Sequence, residues 1–125
     1  MKFFVYGTLK KGMKNSHIME KVQAEFISEC STIEKYPMFD LGDGFPYVQD
    51  KHGSGMKIYG ELYNVDKKYE SSLDYFEGVP ILYKKGIIGV EYEGVKYSDI
   101  NCYFIANELK DEELTDVELF DNWME

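Results

Sequence analysis

Phe3-Phe4-Val5-Tyr6-Gly7-Thr8-Leu9-Lys10-Lys11-Gly12 places a strand near the start of the chain and breaks it at a turn. Phe3 to Tyr6 are aromatic and β-branched, the residue types that fit a buried pleated surface. Gly7 permits a backbone geometry that residues with a side chain resist. Thr8 adds a hydroxyl, and the N–H groups that follow can form a concave nest for a carboxylate or an oxyanion. On these residues alone, an ordinary exit from strand to loop is the favoured reading.

Beyond the turn, Ser16 to Val22 is expected to form a short helix capped by Asn15 or Ser16. Glu25 to Ile33 alternates as a strand does. Tyr36 to Gly55 carries Tyr36-Pro37, Gly42-Asp43-Gly44-Phe45-Pro46 and His52-Gly53-Ser54-Gly55, and reads as a long irregular crossing. Lys57 to Val65 is a strand whose central Gly60 marks a bulge or a close approach to the backbone. Asp66 to Glu77 is the clearest helix: Asp66 caps it, and Gly78 followed by Pro80 stops it. Ile87 to Tyr92 and Val95 to Tyr97 form a hairpin around Glu93-Gly94, and Asp99 to Ile105 adds a strand. In the acidic tail, Leu114, Val117, Phe120 and Met124 recur at roughly helical spacing, so the tail docks as a helix or as an irregular cover. There is no repeat and no linker. The pattern is α+β with a curled, barrel-like sheet, in a single domain over residues 1–125.

The 125 residues suffice for a real core, and a 44% hydrophobic, 16% aromatic composition belongs to a globular chain. A net charge of -9 opposes nucleic acid, which needs a Lys/Arg surface to displace counterions. It equally disfavours an anionic membrane surface. No apolar run approaches the roughly 18 residues of a membrane span, and Met1-Lys2-Phe3 does not open a signal-peptide pattern. Cys30 and Cys102 lie in apolar strand-like stretches and are expected as buried free thiols of a cytoplasmic protein. His17 and His52 share no ligand spacing with them, so no metal site is expected. All 14 basic residues are lysines. Without arginine there is no bidentate guanidinium clamp, so a bound small acid must rest on backbone amides, hydroxyls and at most a lysine.

On the helix from Asp66, Tyr69, Leu73 and Phe76 fall on one face and mark the buried side. Glu77, four positions after Leu73, borders that face, whereas Glu70 and Asp74 turn progressively toward solvent. Glu77 also sits in the last turn, where the helix dipole disfavours a negative charge. Partial burial, dipole and acidic neighbours all push its pKa upward, which suits a general acid or base near neutral pH. A boundary glutamate that merely snorkels is the competing reading. Glu61 lies beside Gly60 and points either into a barrel or to solvent; Asp40 and Asp43 flank glycines as Asx-turn residues. Ser16, Ser54 and Thr8 have no histidine at a triad spacing. The glycines match neither a phosphate loop nor a dinucleotide fingerprint. Most of the tyrosines are core or rim residues, with hydroxyls available to a polar pocket.

Several ordered motifs together resemble the γ-glutamylcyclotransferase superfamily, and within it the AIG2-like and γ-glutamylamine cyclotransferase branch. They are Val5-Tyr6-Gly7-Thr8-Leu9-Lys10-Lys11-Gly12 with Asn15 and His17, then Phe45-Pro46, and then Gly60-Glu61-Leu62-Tyr63-Asn64-Val65. Leu73-Asp74-Tyr75-Phe76-Glu77-Gly78-Val79-Pro80, followed by Tyr83, completes the set, which spans roughly residues 1 to 105. The resemblance implies a small mixed β-barrel with flanking short helices, and a pocket between the Tyr6-Gly7-Thr8-Leu9 loop and Glu77. It implies intramolecular cyclisation: the substrate's α-amine attacks its own γ-amide carbonyl, giving 5-oxoproline and a free amine. Glu77 would shuttle the proton, while Tyr6, Gly7, Thr8, Leu9 and Tyr83 would form the substrate-binding set. No metal and no cofactor are implied.

Two features depart from the family pattern. Tyr83-Lys84-Lys85 stands where relatives often carry Tyr-x-Arg, so a fork-like contact becomes a point charge or is lost. The acidic segment 108–125 matches none of the motifs and is open to capping the pocket or binding a partner. The expected partner is a small-molecule γ-glutamyl substrate, with no nucleic acid and no membrane, acting on a monomer or weak homodimer. A non-catalytic binding module or sensor for γ-glutamyl or other small acidic metabolites is the alternative, and an acidic interaction protein working through the tail is a third.

Overall fold

The computed structural model describes residues 1–125. The chain runs through β1 (Lys2–Val5), α1 (His17–Lys21), β2 (Glu25–Tyr36), β3 (Met38–Asp40), β4 (Pro46–Val48) and β5 (Met56–Asn64). A single 3-10 turn (Lys67–Tyr69) leads into α2 (Glu70–Glu77), followed by β6 (Tyr83–Tyr92), β7 (Val95–Ile105) and α3 (Asp111–Leu114). Phe3, Phe4 and Val5 are all buried, so β1 is covered on both faces. It lies antiparallel to β5, with Phe4 opposite Leu62, and meets β7 in parallel at Phe3 and Asn101. That parallel contact closes the barrel β1-β5-β2-β6-β7 and makes it mixed. The expected α+β fold, a small mixed barrel with short flanking helices, is the one observed.

Alternation along the strands sorts the apolar residues into two cores. Phe4, Cys30, Ile58, Leu62, Ile88, Val90, Ile100, Cys102 and Phe104 come from all the barrel strands and fill the interior. One step along the same strands, Phe3, Val5, Tyr63, Tyr103 and Ile105 face outward, where Met19, Val22, Leu73 and Leu114 cover them. Each large side chain so buried contributes about 2 kcal/mol. Cys30 and Cys102 are buried and unpaired. No helix is long and apolar enough to cross a membrane.

Four local readings change. The irregular crossing contains a hairpin: β3 pairs with β4, Met38 opposite Val48, and Asp40 accepts from the Gly42 and Asp43 amides in the expected Asx turn. The helix from Asp66 begins as the 3-10 turn, with the Asp66 carboxylate accepting from the Lys68 amide at 3.0 Å. Ser16 flanks α1 without a side-chain capping bond. The strand expected at Asp99 is the continuation of β7, which pairs with β6 along its length through a register shift between Ile88 and Val90. Asp99 sits at φ 58° within it, and the turn-like Ser98-Asp99 pair conceals that continuity in the sequence.

The tail makes one helical turn, α3, and then crosses the barrel as an irregular cover. The Phe120 amide donates to Met38 O at 3.0 Å, and Asp121 O accepts from the Tyr59 amide at 2.8 Å. Its helical spacing is not realised: Leu114 is buried, whereas Met124 is exposed.

Gly60 marks a close approach, as expected: a Cβ there would lie 2.4 Å from the Val5 carbonyl oxygen and 2.6 Å from the Phe4 ring. Neither the strand backbone nor a ring locked in the barrel can yield. Gly60→Ala is therefore expected to cost more than about 2 kcal/mol. Gly94→Ala, in open space but at positive φ, should cost about 1 kcal/mol. Urea denaturation of the two variants provides the comparison.

Candidate active site

β1 ends at Val5 and delivers Tyr6 to the barrel rim, where its hydroxyl donates to the Tyr103 carbonyl of β7 at 2.6 Å. Gly7 follows at negative φ, so space rather than backbone freedom is what it provides: a Cβ would lie 2.7 Å from Pro46 Cγ. The loop then folds back on itself. Gly7 O accepts from the Lys10 amide at 3.1 Å and Thr8 O from the Asn15 amide at 3.0 Å, while Asn15 Nδ2 donates to Thr8 Oγ1. The carbonyls are thus engaged, and the Gly7, Thr8 and Leu9 amides donate to no backbone carbonyl.

Facing this loop is the end of α2. Gly78, in the left-handed conformation at φ 69°, stops the helix immediately after Glu77. Leu73 is the buried anchor of α2, with Glu77 one turn further along. Phe76, expected in the core, is 37% exposed, and Tyr69 is only partly buried. The stripe is narrower than the sequence suggests: Leu73 is the one fully buried residue of α2.

Glu70 and Asp74, expected toward solvent, instead hold the helix in place. The Lys85 ammonium of β6 pairs with Glu70 and, at 3.0 Å, with Asp74. Tyr103 donates its hydroxyl to Asp74 at 2.7 Å. Lys85, in the stretch that departs from the family pattern, is thus a point charge shared by two carboxylates of one helix.

Between loop and helix lies a cavity of about 160 Å³. It brings together the residues that the family resemblance implies for catalysis and substrate binding, Tyr6, Gly7, Thr8, Leu9, Glu77 and Tyr83, whereas Glu61, Asp40 and Asp43 lie outside it. Phe45 from the β3–β4 connection, Pro46 at the start of β4, Asn15, Phe76, Leu82 and Tyr103 complete most of the wall. Tyr83 is committed to structure through its hydroxyl, which donates to Pro46 O at 2.9 Å, so it offers its ring to the cavity. Tyr103 and Leu82 carry no local signal of this role, since each looks like an ordinary strand or turn residue until the barrel closes.

Glu77 is the one charged residue among the 14 that line the cavity. Burial pushes its carboxyl from an ordinary 4.5 up to about 7. Burial likewise raises the hydroxyls of Tyr6, Tyr83 and Tyr103, with neighbouring charges adding to it, so all three remain protonated donors. A carboxyl raised toward neutrality, loop amides with no backbone acceptor and a mostly apolar wall are the chemical features that proton transfer beside a bound anion needs.

A family model for gamma-glutamyl cyclotransferase, AIG2-like proteins matches residues 3–125. The chain belongs to this family. It is 46% identical over 86 residues to gamma-glutamylaminecyclotransferase A of Danio rerio, covering 66% of this chain and 53% of that one. It is 36% identical over 92 residues to the Homo sapiens gamma-glutamylaminecyclotransferase, covering 70% and 60%. The chain thus spans about half to three fifths of the length of these relatives. The crystal structure of an AIG2-like protein from Mus musculus superposes with a TM-score of 0.88 at 27% identity, covering 98% of this chain and 87% of that one.

Glu77 makes stability depend on pH in a direction that can be stated. Its native pKa of about 7 exceeds the ordinary 4.5, so between these values the native state keeps a proton that the unfolded chain has lost. Stability conferred at low pH is lost as pH rises through this window. Glu77→Gln stays neutral throughout. Its melting temperature should exceed that of the wild type at pH of about 8 and converge with it near pH 4.5, as read by thermal melts across that range.

Proposed function

We propose that this chain cyclises a γ-glutamyl amine or peptide to 5-oxoproline and releases the free amine, with Glu77 as general acid/base. The observation that carries the reading is the single carboxyl, poised near neutrality by burial, opposite the Gly7-Thr8-Leu9 amides. The names of the relatives support the same reaction class.

The α-amine of the substrate attacks the γ-amide carbon, and a new C–N bond closes the five-membered ring. Glu77 removes the proton from the attacking nitrogen and returns one to the departing nitrogen as the old C–N bond breaks. Proton count and atoms balance with no co-reactant. Because the nucleophile is tethered to its target, a cavity that folds the substrate into attack geometry supplies much of the acceleration. Amides of Gly7, Thr8 and Leu9 hold the negative groups of the glutamyl moiety, and the rings of Tyr6 and Tyr83 shape its wall. The departing amine leaves past Phe76 and Leu82, the exposed members of the lining. Neither metal nor cofactor is required by this chemistry. The chain is proposed to act on a small molecule as a cytoplasmic monomer or weak homodimer, independent of nucleic acid and membrane.

Glu77→Gln should remain folded and lose 5-oxoproline release by about two to four orders of magnitude in kcat/KM. The wild-type rate should climb with pH through about 7, as the carboxyl ionises, and that limb should vanish in the variant. A chromatographic assay of 5-oxoproline over a panel of γ-glutamyl compounds reads both. Wild-type turnover in Glu77→Gln overturns the mechanism. Saturable binding of the panel without turnover by the wild type leaves the binding-module reading instead.

A further inference from the structure

The Tyr6–Lys11 loop has two faces, and the mechanism uses only one. Tyr6, Gly7, Thr8 and Leu9 line the cavity with Glu77, whereas Lys10 and Lys11 line a separate groove that contains Asn122 and Trp123. Lys10 is unusual for a lysine: only 6% of its surface is exposed. A buried ammonium needs partners, and those of Lys10 come from the far end of the chain. Its Nζ donates to Asn122 Oδ1 at 2.8 Å and to the Trp123 carbonyl at 2.7 Å. Beside it, the Lys11 amide donates at 2.9 Å to Glu61, a buried carboxylate that also accepts from the Tyr63 hydroxyl. Further along, the Lys14 amide donates to Glu125 at 2.8 Å.

The segment Phe120–Glu125 is itself pinned to both sheets, to β3 at Met38 and to β5 of the barrel at Tyr59. Phe120 donates its amide to Met38 O, Asp121 O accepts from the Tyr59 amide, and the Phe120 and Trp123 rings meet edge-on at 6.4 Å. The segment therefore behaves as a strap: one part is fixed on the sheet and the other grips the back of the loop.

We propose that Lys10 is a positioning residue, through which the Phe120–Glu125 strap holds the Gly7-Thr8-Leu9 amides in register with Glu77. Gly7 O accepts from the Lys10 amide, so the residue gripped by the strap is bonded directly to the cradle. The inference rests on the reading that this loop holds the glutamyl group. It assigns the acidic tail a role in the site that does not require it to touch substrate or to recruit a partner.

Lys10→Met, Lys10→Arg, Asn122→Ala and Trp123→Ala test it together. Lys10→Met should raise KM for a γ-glutamyl amide by about tenfold or more, with a smaller fall in kcat. Lys10→Arg, which keeps the donors, should recover most of that loss. In heteronuclear NMR spectra the Gly7, Thr8 and Leu9 amide resonances should shift in Lys10→Met and in Asn122→Ala. Trp123 is the single tryptophan, so its fluorescence reports the strap. It should change when 5-oxoproline binds the wild type and stay constant in Lys10→Met, because coupling between two sites is reciprocal. If Lys10→Met does not fold, Asn122→Ala carries the same comparisons, and Trp123→Ala, which removes the fluorophore, carries the KM and amide-shift comparisons. Unshifted loop amides in the folded variants, or a wild-type KM in Lys10→Met, overturn the proposal. A wild type that neither turns over γ-glutamyl compounds nor binds 5-oxoproline refutes the reaction instead, and the loop amides still decide the role of the strap.

Discussion

Closure of the sheet at β1 is the constraint on which the remaining structure depends. A strand of only four residues, apolar on both faces, is held antiparallel by β5 on one side and parallel by β7 on the other. Closure leaves the barrel without an edge and gives both faces of β1 a core to join. It also fixes the position of everything that leaves the strand. Tyr6 is anchored on β7 through the Tyr103 carbonyl, so the turn after β1 starts from a fixed point on the rim. Pro46 then presses on Gly7 from the other side, and no side chain fits between them.

The helix that carries Glu77 is placed by a different kind of force. Leu73 alone anchors α2 in the core, and one buried leucine is a weak lock on an eight-residue helix. Lys85 and Tyr103, from neighbouring strands, grip Glu70 and Asp74 and so set the rotation of α2. With that rotation Glu77 turns into the cavity, and burial keeps its proton to near neutrality. Two carboxylates of the helix are thus stabilised by partners so that a third can go without one. A partner cation at Glu77 would lower its pKa and remove the property that suits it to proton transfer.

The lack of arginine gives this arrangement its particular character. With 14 lysines and no guanidinium, planar two-point recognition of a carboxylate is closed to the chain. Its most buried lysine does not line the cavity but holds the loop through Asn122 and Trp123, while Gly7, Thr8 and Leu9 line the cavity. The Lys10 charge is used to tie the loop to the tail rather than to line the cavity.

Local patterns made much of this visible in advance. The aromatic and β-branched run of Phe3 to Tyr6, the alternation of Glu25 to Ile33, the cap at Asp66, the stop at Gly78 and the tight approach at Gly60 are all written in neighbouring residues. Each depends on backbone geometry that a few adjacent side chains control. The loop and Glu77 were legible as candidates for the same reason. The hairpin of β3 and β4, the continuity of β7 through Asp99, and the exposure of Phe76 were not, because long-range pairing overrode local preference there. The same holds for the roles of Asp74, Lys85, Tyr103 and Lys10, whose partners lie between 11 and 113 positions away. Whether Glu77 carries a proton near pH 7 belongs to this second class. Desolvation is a property of what surrounds a carboxyl in space, and those surroundings exist only once the barrel has closed.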